Sequence, residues 1–71
     1  MLFGENFKNI RKRAGLSQVQ VAKKLGIRQS NVSDWENDVS RPEYEKLIEL
    51  AKIYDVSLYE ILGLDDSDFF S

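Results

Sequence analysis

A chain of 71 residues that contains neither cysteine nor histidine has to hold itself together by packing alone. No disulfide and no Cys/His zinc site can stand in for a core. At this size that requirement favours one domain built from regular, well-packed helices. The same absence removes the thiolate nucleophile and the imidazole base from the available chemistry. No Gly-rich phosphate loop or nucleophile–base pair is recognisable, so neither an enzyme nor a cofactor is expected. No apolar run approaches the roughly 20 residues needed to span a bilayer. In MLFGENFKNIRKR the apolar residues precede the charges, the wrong order for a secretory signal. A cytoplasmic protein with no membrane partner is expected.

Glycines and capping residues divide the chain into short helices. The spacing of Phe7, Ile10 and Ala14 predicts a first helix over Asn6–Arg13, stopped by Gly15. SQVQ reads as a capping box that opens a second helix after Ser17, with Val21, Ala22 and Leu25 on one arc and Gly26 at its end. A third helix is predicted over Gln29–Asn37. A fourth opens at Pro42, with Glu43 and Glu45 suited to its positive end and Leu47, Ile48, Leu50, Ala51 and Tyr54 forming a wide buried face. SLYE reads as a second capping box, opening a fifth helix at Ser57 that Gly63 ends. The domain is expected to span residues 1–64, and the acidic stretch 65–71 to form a flexible tail.

The third helix has an unusual distribution of side chains. On an ideal wheel Gln29, Ser30, Ser33, Asp34 and Asn37 fill an arc of roughly 140°. Val32 and Trp35 make a narrow apolar stripe opposite, with Glu36 at its margin. Short hydrogen-bonding side chains are mediocre helix formers, and an ordinary solvated face more often carries Lys and Glu at i, i+4 spacing. Two short amphipathic helices joined through Gly26 match a helix-turn-helix, in which the second helix enters the major groove of DNA. A helical hairpin of any small bundle fits the periodicity equally well. The chemistry of the polar arc and the charge distribution favour DNA. Residues 1–41 carry eight basic side chains against four acidic, a net of +4, and residues 42–71 two against eight, a net of −6. A polyanion is drawn to the first part and repelled by the second. Lys8, Lys12, Lys23 and Lys24 read first as solvated residues, and Trp35 and the tyrosines as core.

The stretch LSQVQVAKKLGIRQSNVSDWENDVSRPEYEKLIELAKIYDVSLYEILG resembles the Cro and phage-repressor family of helix-turn-helix domains. The resemblance covers about residues 6–63. Its anchors are Leu16, Ser17, Gln18, Ala22, Leu25, Gly26, Ile27, Ser30, Val32, Ser33, Trp35, Glu36 and Asn37. Pro42, Leu47, Leu50, Ala51, Val56, Leu58 and Leu62 continue them. It implies an all-α, compact five-helix lambda-repressor-like domain from a prokaryote or phage that regulates transcription, with repression the leading expectation. By the same resemblance, Gln18 touches a phosphate and buttresses Gln29, and Gln29 reads a base, as glutamine can pair with adenine N6 and N7. Ser30, Ser33 and Asp34 match positions that meet base edges or phosphates. Asn37 and the loop to Arg41 approach phosphate, and Arg11 and Glu36 form a buried ion pair.

Three residues depart from the family pattern. Arg28 replaces the usual Ser or Thr cap of the third helix and is read as a grip on phosphate or guanine. Asp34 puts a negative charge on the reading face. Asp38 replaces a frequent glycine after the third helix, which is expected to weaken that turn and to lower affinity for the DNA backbone. One helix reads few base pairs, so a homodimer on a palindromic operator is expected, with Leu58, Tyr59, Ile61, Leu62 and Leu64 as the interface. Phe69 and Phe70 in the tail are expected to extend that interface or to meet a protein partner. The rival function is an antitoxin or adaptor that uses the same fold mainly to hold another protein.

Overall fold

Ser17 and Ser57 start two of the helices, and five residues with left-handed backbone stop all of them. The computed structural model describes residues 2–64. Over that span the regular elements are five helices: α1 (Gly4–Arg13), α2 (Gln18–Leu25), α3 (Gln29–Glu36), α4 (Tyr44–Tyr54) and α5 (Leu58–Ile61). The tail with Phe69 and Phe70, and the expected boundary at residue 65, lie outside the described residues.

The five stops share one mechanism. Gly15, Gly26, Asp38, Asp55 and Gly63 have φ between +56° and +75°. The amide after each one donates back to the helix, as in Ile27 N–H to the Ala22 carbonyl at 3.0 Å and Val56 N–H to Ala51 at 3.0 Å. The left-handed residue itself donates one turn in, as in Gly26 N–H to Lys23 at 3.2 Å. This pair of bonds is the Schellman motif, which satisfies helix carbonyls that have no partner within the helix. An apolar residue follows each stop, and Leu16, Ile27 and Val56 pack against the core. Aspartate takes the glycine's place twice, in the DV pairs at 38–39 and 55–56. The turn after α3 is therefore formed like the others, with Val39 N–H bonded to the Asp34 carbonyl at 2.9 Å, and Asp38 does not break it.

The core forms where the narrow apolar stripes meet. Phe7 and Ile10 of α1, Val21, Ala22 and Leu25 of α2, Val32 and Trp35 of α3, Leu50, Ala51 and Tyr54 of α4, and Ile61 of α5 are buried together. Each large apolar side chain that is wholly withdrawn from water stabilises the fold by about 2 kcal/mol. α3 packs on both α1 and α2, while α5 closes the bundle against α1 and α4. α3 is thus held from one side only, and its polar face stays open.

Several sequence expectations change. α1 starts at Gly4, two residues before Asn6, because the side chain of Asp38 supplies its cap: Oδ1 accepts from the amides of Phe3 at 3.0 Å and Gly4 at 2.9 Å. Asn6, now inside the helix, donates through Nδ2 to the carbonyls of Glu60 and Ile61, both at 2.8 Å, and so caps the end of α5. Pro42 lies before α4, which Glu43 caps with extended backbone at ψ 163°. Among the described residues Ser57 forms only its half of the second capping box, accepting from Glu60 N–H at 3.1 Å. Ala14, the C-cap of α1, and Ile48 are exposed and do not join the core. Tyr44 is 84% exposed at the first turn of α4, and Tyr59 is exposed too, so of the tyrosines only Tyr54 joins the core.

Gly4 is required for a reason unrelated to left-handed backbone. A β-carbon there would press on the Glu36 carbonyl oxygen, lie 2.7 Å from its carbon and 2.8 Å from Asp38 Oδ2. The end of α3 rests directly on the start of α1. Gly4→Ala is expected to cost about 3 kcal/mol, because the obstructing atoms are backbone. Gly15→Ala meets nothing within 4 Å and is expected to cost only about 1 kcal/mol of left-handed strain. Urea denaturation of the two variants checks the ranking, and a costlier Gly15→Ala contradicts it.

Candidate nucleic-acid interface

The helix-turn-helix is α2, Gly26 and α3. Ser17 opens it with a complete capping box: its hydroxyl accepts from Gln20 N–H at 3.1 Å, and Gln20 Oε1 accepts from Ser17 N–H at 2.8 Å. Gly26, at φ +68°, turns the chain so that α3 starts three residues later. Arg28 is the extended residue that opens α3. It makes no side-chain cap among the described residues, and its side chain is exposed.

A hydrogen-bonded chain runs from α1 to the start of α3. Arg11 Nε donates to Glu36 Oε2 at 2.6 Å, and Arg11 Nη2 donates to Oε1 at 2.9 Å. The two side chains are nearly withdrawn from water, at 10% and 3% exposure. Arg11 Nη1 adds a bond to the Leu16 carbonyl at 2.9 Å. Glu36 Oε1 also accepts from Gln18 Nε2 at 3.0 Å, and Gln18 Oε1 accepts from Gln29 Nε2 at 3.3 Å. A bidentate arginine fixes the carboxylate plane. The carboxylate then fixes the Gln18 amide, and that amide leaves one acceptor facing Gln29. Among the described residues no buried side-chain polar atom lacks a partner.

The remaining site residues fall into two groups. On α3 and its C-cap Asn37, Gln29, Ser30 and Asn37 are exposed, and Ser33 and Asp34 half-buried. Asn37 Nδ2 turns back to the Ser33 carbonyl at 2.9 Å and its hydroxyl at 3.3 Å, so these two side chains act together. Beyond α3, Arg41 is drawn towards the start of α1, with its guanidinium carbon 5.2 Å from the centre of the Phe3 ring. Of the residues expected at a dimer interface, Ile61 has no exposed surface and cannot reach a partner. Its side chain completes the core of the single chain. Leu58 and Tyr59 are exposed, and Leu62 and Leu64 half-buried. Sequence reasoning missed Phe3, Gly4 and the capping role of Asp38. The repeated DV pair signals only the left-handed stops at Asp38 and Asp55, and no local signal marked the cap that Asp38 provides to α1.

Two ionisations respond to this arrangement. Hydrogen bonding to Glu36 raises the Arg11 pKa further, against the opposing effect of burial. Burial pushes the Tyr54 phenol well above its usual value, the nearby Glu36 charge pushes it the same way, and Arg11 opposes them. Removing one member of the pair leaves a buried charge without its partner. Glu36→Ala is therefore expected to cost about 3 kcal/mol, whereas Arg11→Met with Glu36→Leu recovers most of that stability. Denaturation of the single and double variants measures the difference, and equal losses would contradict it.

The Tyr54 shift also sets an alkaline limit. The unfolded phenol ionises near pH 10 while the folded one stays protonated, so its contribution is complete below that pH and declines above it. Stability is expected to drop between about pH 9 and pH 11, and to drop less in Tyr54→Phe. Parallel urea titrations at the two ends of that window test this, and equal drops would show that the fold does not hold the phenol neutral.

The helix-turn-helix family model matches residues 7–61. Over 66 residues the chain is 36% identical to the HTH-type transcriptional regulator ImmR of Bacillus subtilis (strain 168), covering 93% of this chain and 52% of that protein. Over 53 residues it is 42% identical to the antitoxin HigA1 of Mycobacterium tuberculosis (strain ATCC 25618 / H37Rv), covering 75% of this chain and 36% of that protein. The chain thus spans about half the length of ImmR, and less of HigA1. Its fold is similar to the P22 c2 repressor in a crystal structure with a synthetic operator, at a TM-score of 0.81 and 29% identity. That match covers 92% of this chain and 98% of the repressor chain.

Proposed function

Because the chain belongs to the Cro/C1-type helix-turn-helix family, we propose that it regulates transcription by binding a specific double-stranded DNA sequence with α3 in the major groove. The observation that carries this reading is the exposed polar face of α3, whose first residue, Gln29, is held by Gln18 and through it by a buried ion pair. A side chain fixed before binding loses less freedom when it meets a base. Gln29 reads adenine through its amide, and the exposed Arg28 beside it takes a phosphate or a guanine. Ser30, Ser33 and Asp34 line the groove, and Gln18, Asn37 and Arg41 meet the backbone on either side. Repression follows if the bound chain occupies a promoter.

A single α3 covers few base pairs, so two chains bind a palindromic operator with recognition helices about 34 Å apart. The exposed Leu58 and Tyr59, with the half-buried Leu62 and Leu64, are the surface that supports pairing. The likeness to HigA1 and the acidic excess of residues 42–71 favour a second reading, in which the chain holds a protein partner as an antitoxin does.

Selection from a random duplex pool tests the proposal. Enrichment of a two-fold symmetric site is the expected result. Affinity for the winner is expected to fall steeply with salt as bound phosphates release counterions. The double change Gln29→Ala, Arg28→Ala is expected to abolish selectivity, at about 2 kcal/mol for each base-reading side chain removed, with the fold intact by circular dichroism. Absence of any enriched site, or a double variant that binds as the parent does, overturns the DNA reading and leaves the protein-holding one.

A further inference from the structure

The loop after α3 is fastened to the start of α1 at two points, and both involve Phe3. Asp38 Oδ1 accepts from the Phe3 and Gly4 amides at 3.0 and 2.9 Å. Three residues on, the Arg41 guanidinium lies over the Phe3 ring at 5.2 Å. Gly4 makes room for the approach, since a β-carbon there would lie 2.8 Å from Asp38 Oδ2. The Asp34 carbonyl holds the same loop from the α3 side, accepting from Val39 N–H at 2.9 Å and Ser40 N–H at 3.4 Å. Asp38 thus adopts a left-handed conformation, at φ +59°, and uses its carboxylate on amides at the positive end of another helix.

We propose that Asp38 is a positioning residue for DNA binding: its carboxylate clamps the α3–α4 loop to the first turn of α1, so that Asn37 and Arg41 meet the DNA backbone in a fixed place. The inference rests on the DNA reading above and deepens it. It also reverses the sign expected from charge alone. An acid near phosphates lowers affinity by Coulomb repulsion, so removing it should help. If Asp38 positions the loop, removing its acceptor hurts, and removing only its charge does not.

Two substitutions separate these effects. Asp38→Asn keeps an acceptor and tolerates the left-handed backbone, but removes the charge. Asp38→Gly also removes the charge and relieves the backbone, but has no acceptor. Both are measured against the parent on the selected duplex at two salt concentrations, at a temperature where circular dichroism shows each variant folded. Asp38→Asn is expected to bind at least as tightly as the parent. Asp38→Gly is expected to bind roughly fivefold more weakly. Its slope of log affinity against log salt is expected to be shallower by about one, the change that accompanies release of one phosphate. Exchange of the Val39 and Ser40 amides is expected to quicken in Asp38→Gly and not in Asp38→Asn.

A purely structural cap would lower the melting temperature of Asp38→Gly and leave its affinity and salt slope equal to those of Asp38→Asn. That result overturns the inference while the DNA reading stands. Tighter binding by both variants does the same, because it leaves Asp38 as a repulsive charge only. A parent chain that selects no duplex overturns the DNA reading itself, and this inference with it.

Discussion

Glu36 accepts from side chains on two other helices, and the geometry of the polar face depends on both. Arg11 reaches it from α1 and Gln18 from α2, while Glu36 itself closes α3. One carboxylate therefore fixes the relative placement of the three helices that make and support the helix-turn-helix. An ion pair this withdrawn from water adds little net stability, since desolvation offsets most of the attraction. Its physical value is angular. Apolar packing between short helices tolerates rotation, because a leucine or valine packs acceptably over a range of orientations. A bidentate guanidinium and a carboxylate do not. The narrow stripe of Val32 and Trp35 seats α3 in the core, and Glu36 determines which way its polar face points.

The second constraint is brevity. Helices of 4 to 11 residues are too short to be stable alone, and a large fraction of their carbonyls and amides lies in terminal turns without a partner in the helix. The chain meets this in a uniform way at the C-termini, with a left-handed residue followed by an apolar one. At the N-termini it uses varied means: a full capping box for α2, a lone serine for α5, and for α1 a carboxylate from 34 residues away. Caps borrowed across the fold, Asp38 on α1 and Asn6 on α5, turn what would be local end effects into tertiary links.

Most of the helical order was legible because glycine stops and serine starts are local signals, and the apolar stripes of α2 and α3 are regular. The boundaries that moved were those set at a distance. Nothing near Gly4 announces a helix start, since its cap is Asp38. Asn6, where the apolar spacing placed the start of the first helix, lies inside α1 and caps α5. Leu58, Ile61 and Leu62 crowd a helix too short for periodicity to sort inward from outward positions, and only the placement of α5 against α1 and α4 shows that Ile61 is interior. At the candidate interface, the polar arc of α3 could be read from spacing alone. The link from Arg11 to Gln29 joins residues 11, 36, 18 and 29, an order that no periodicity contains, and it was accessible only through the family resemblance.

Charge shows most clearly how sequence counting and structure diverge. Residues 1–41 hold four acids, which a simple sum sets against the basic side chains that would attract DNA. Glu36 is neutralised internally by Arg11, which withdraws one charge of each sign from the balance. Asp38 sits on the amides of Phe3 and Gly4, where the partial positive charge of a helix start offsets part of its field. The other two acids are Glu5 and the half-buried Asp34. They stand against Lys8, Lys12, Arg13, Lys23, Lys24, Arg28 and Arg41. Two of the four acids in this part of the chain are thus engaged inside the fold, Glu36 with Arg11 and Asp38 with the start of α1. Residues 42–64 have no comparable internal use for theirs. Glu43, Glu45, Glu49, Asp55 and Glu60 lie at the surface, and the ion pair of Lys46 with Glu49 at 3.5 Å is a loose surface approach.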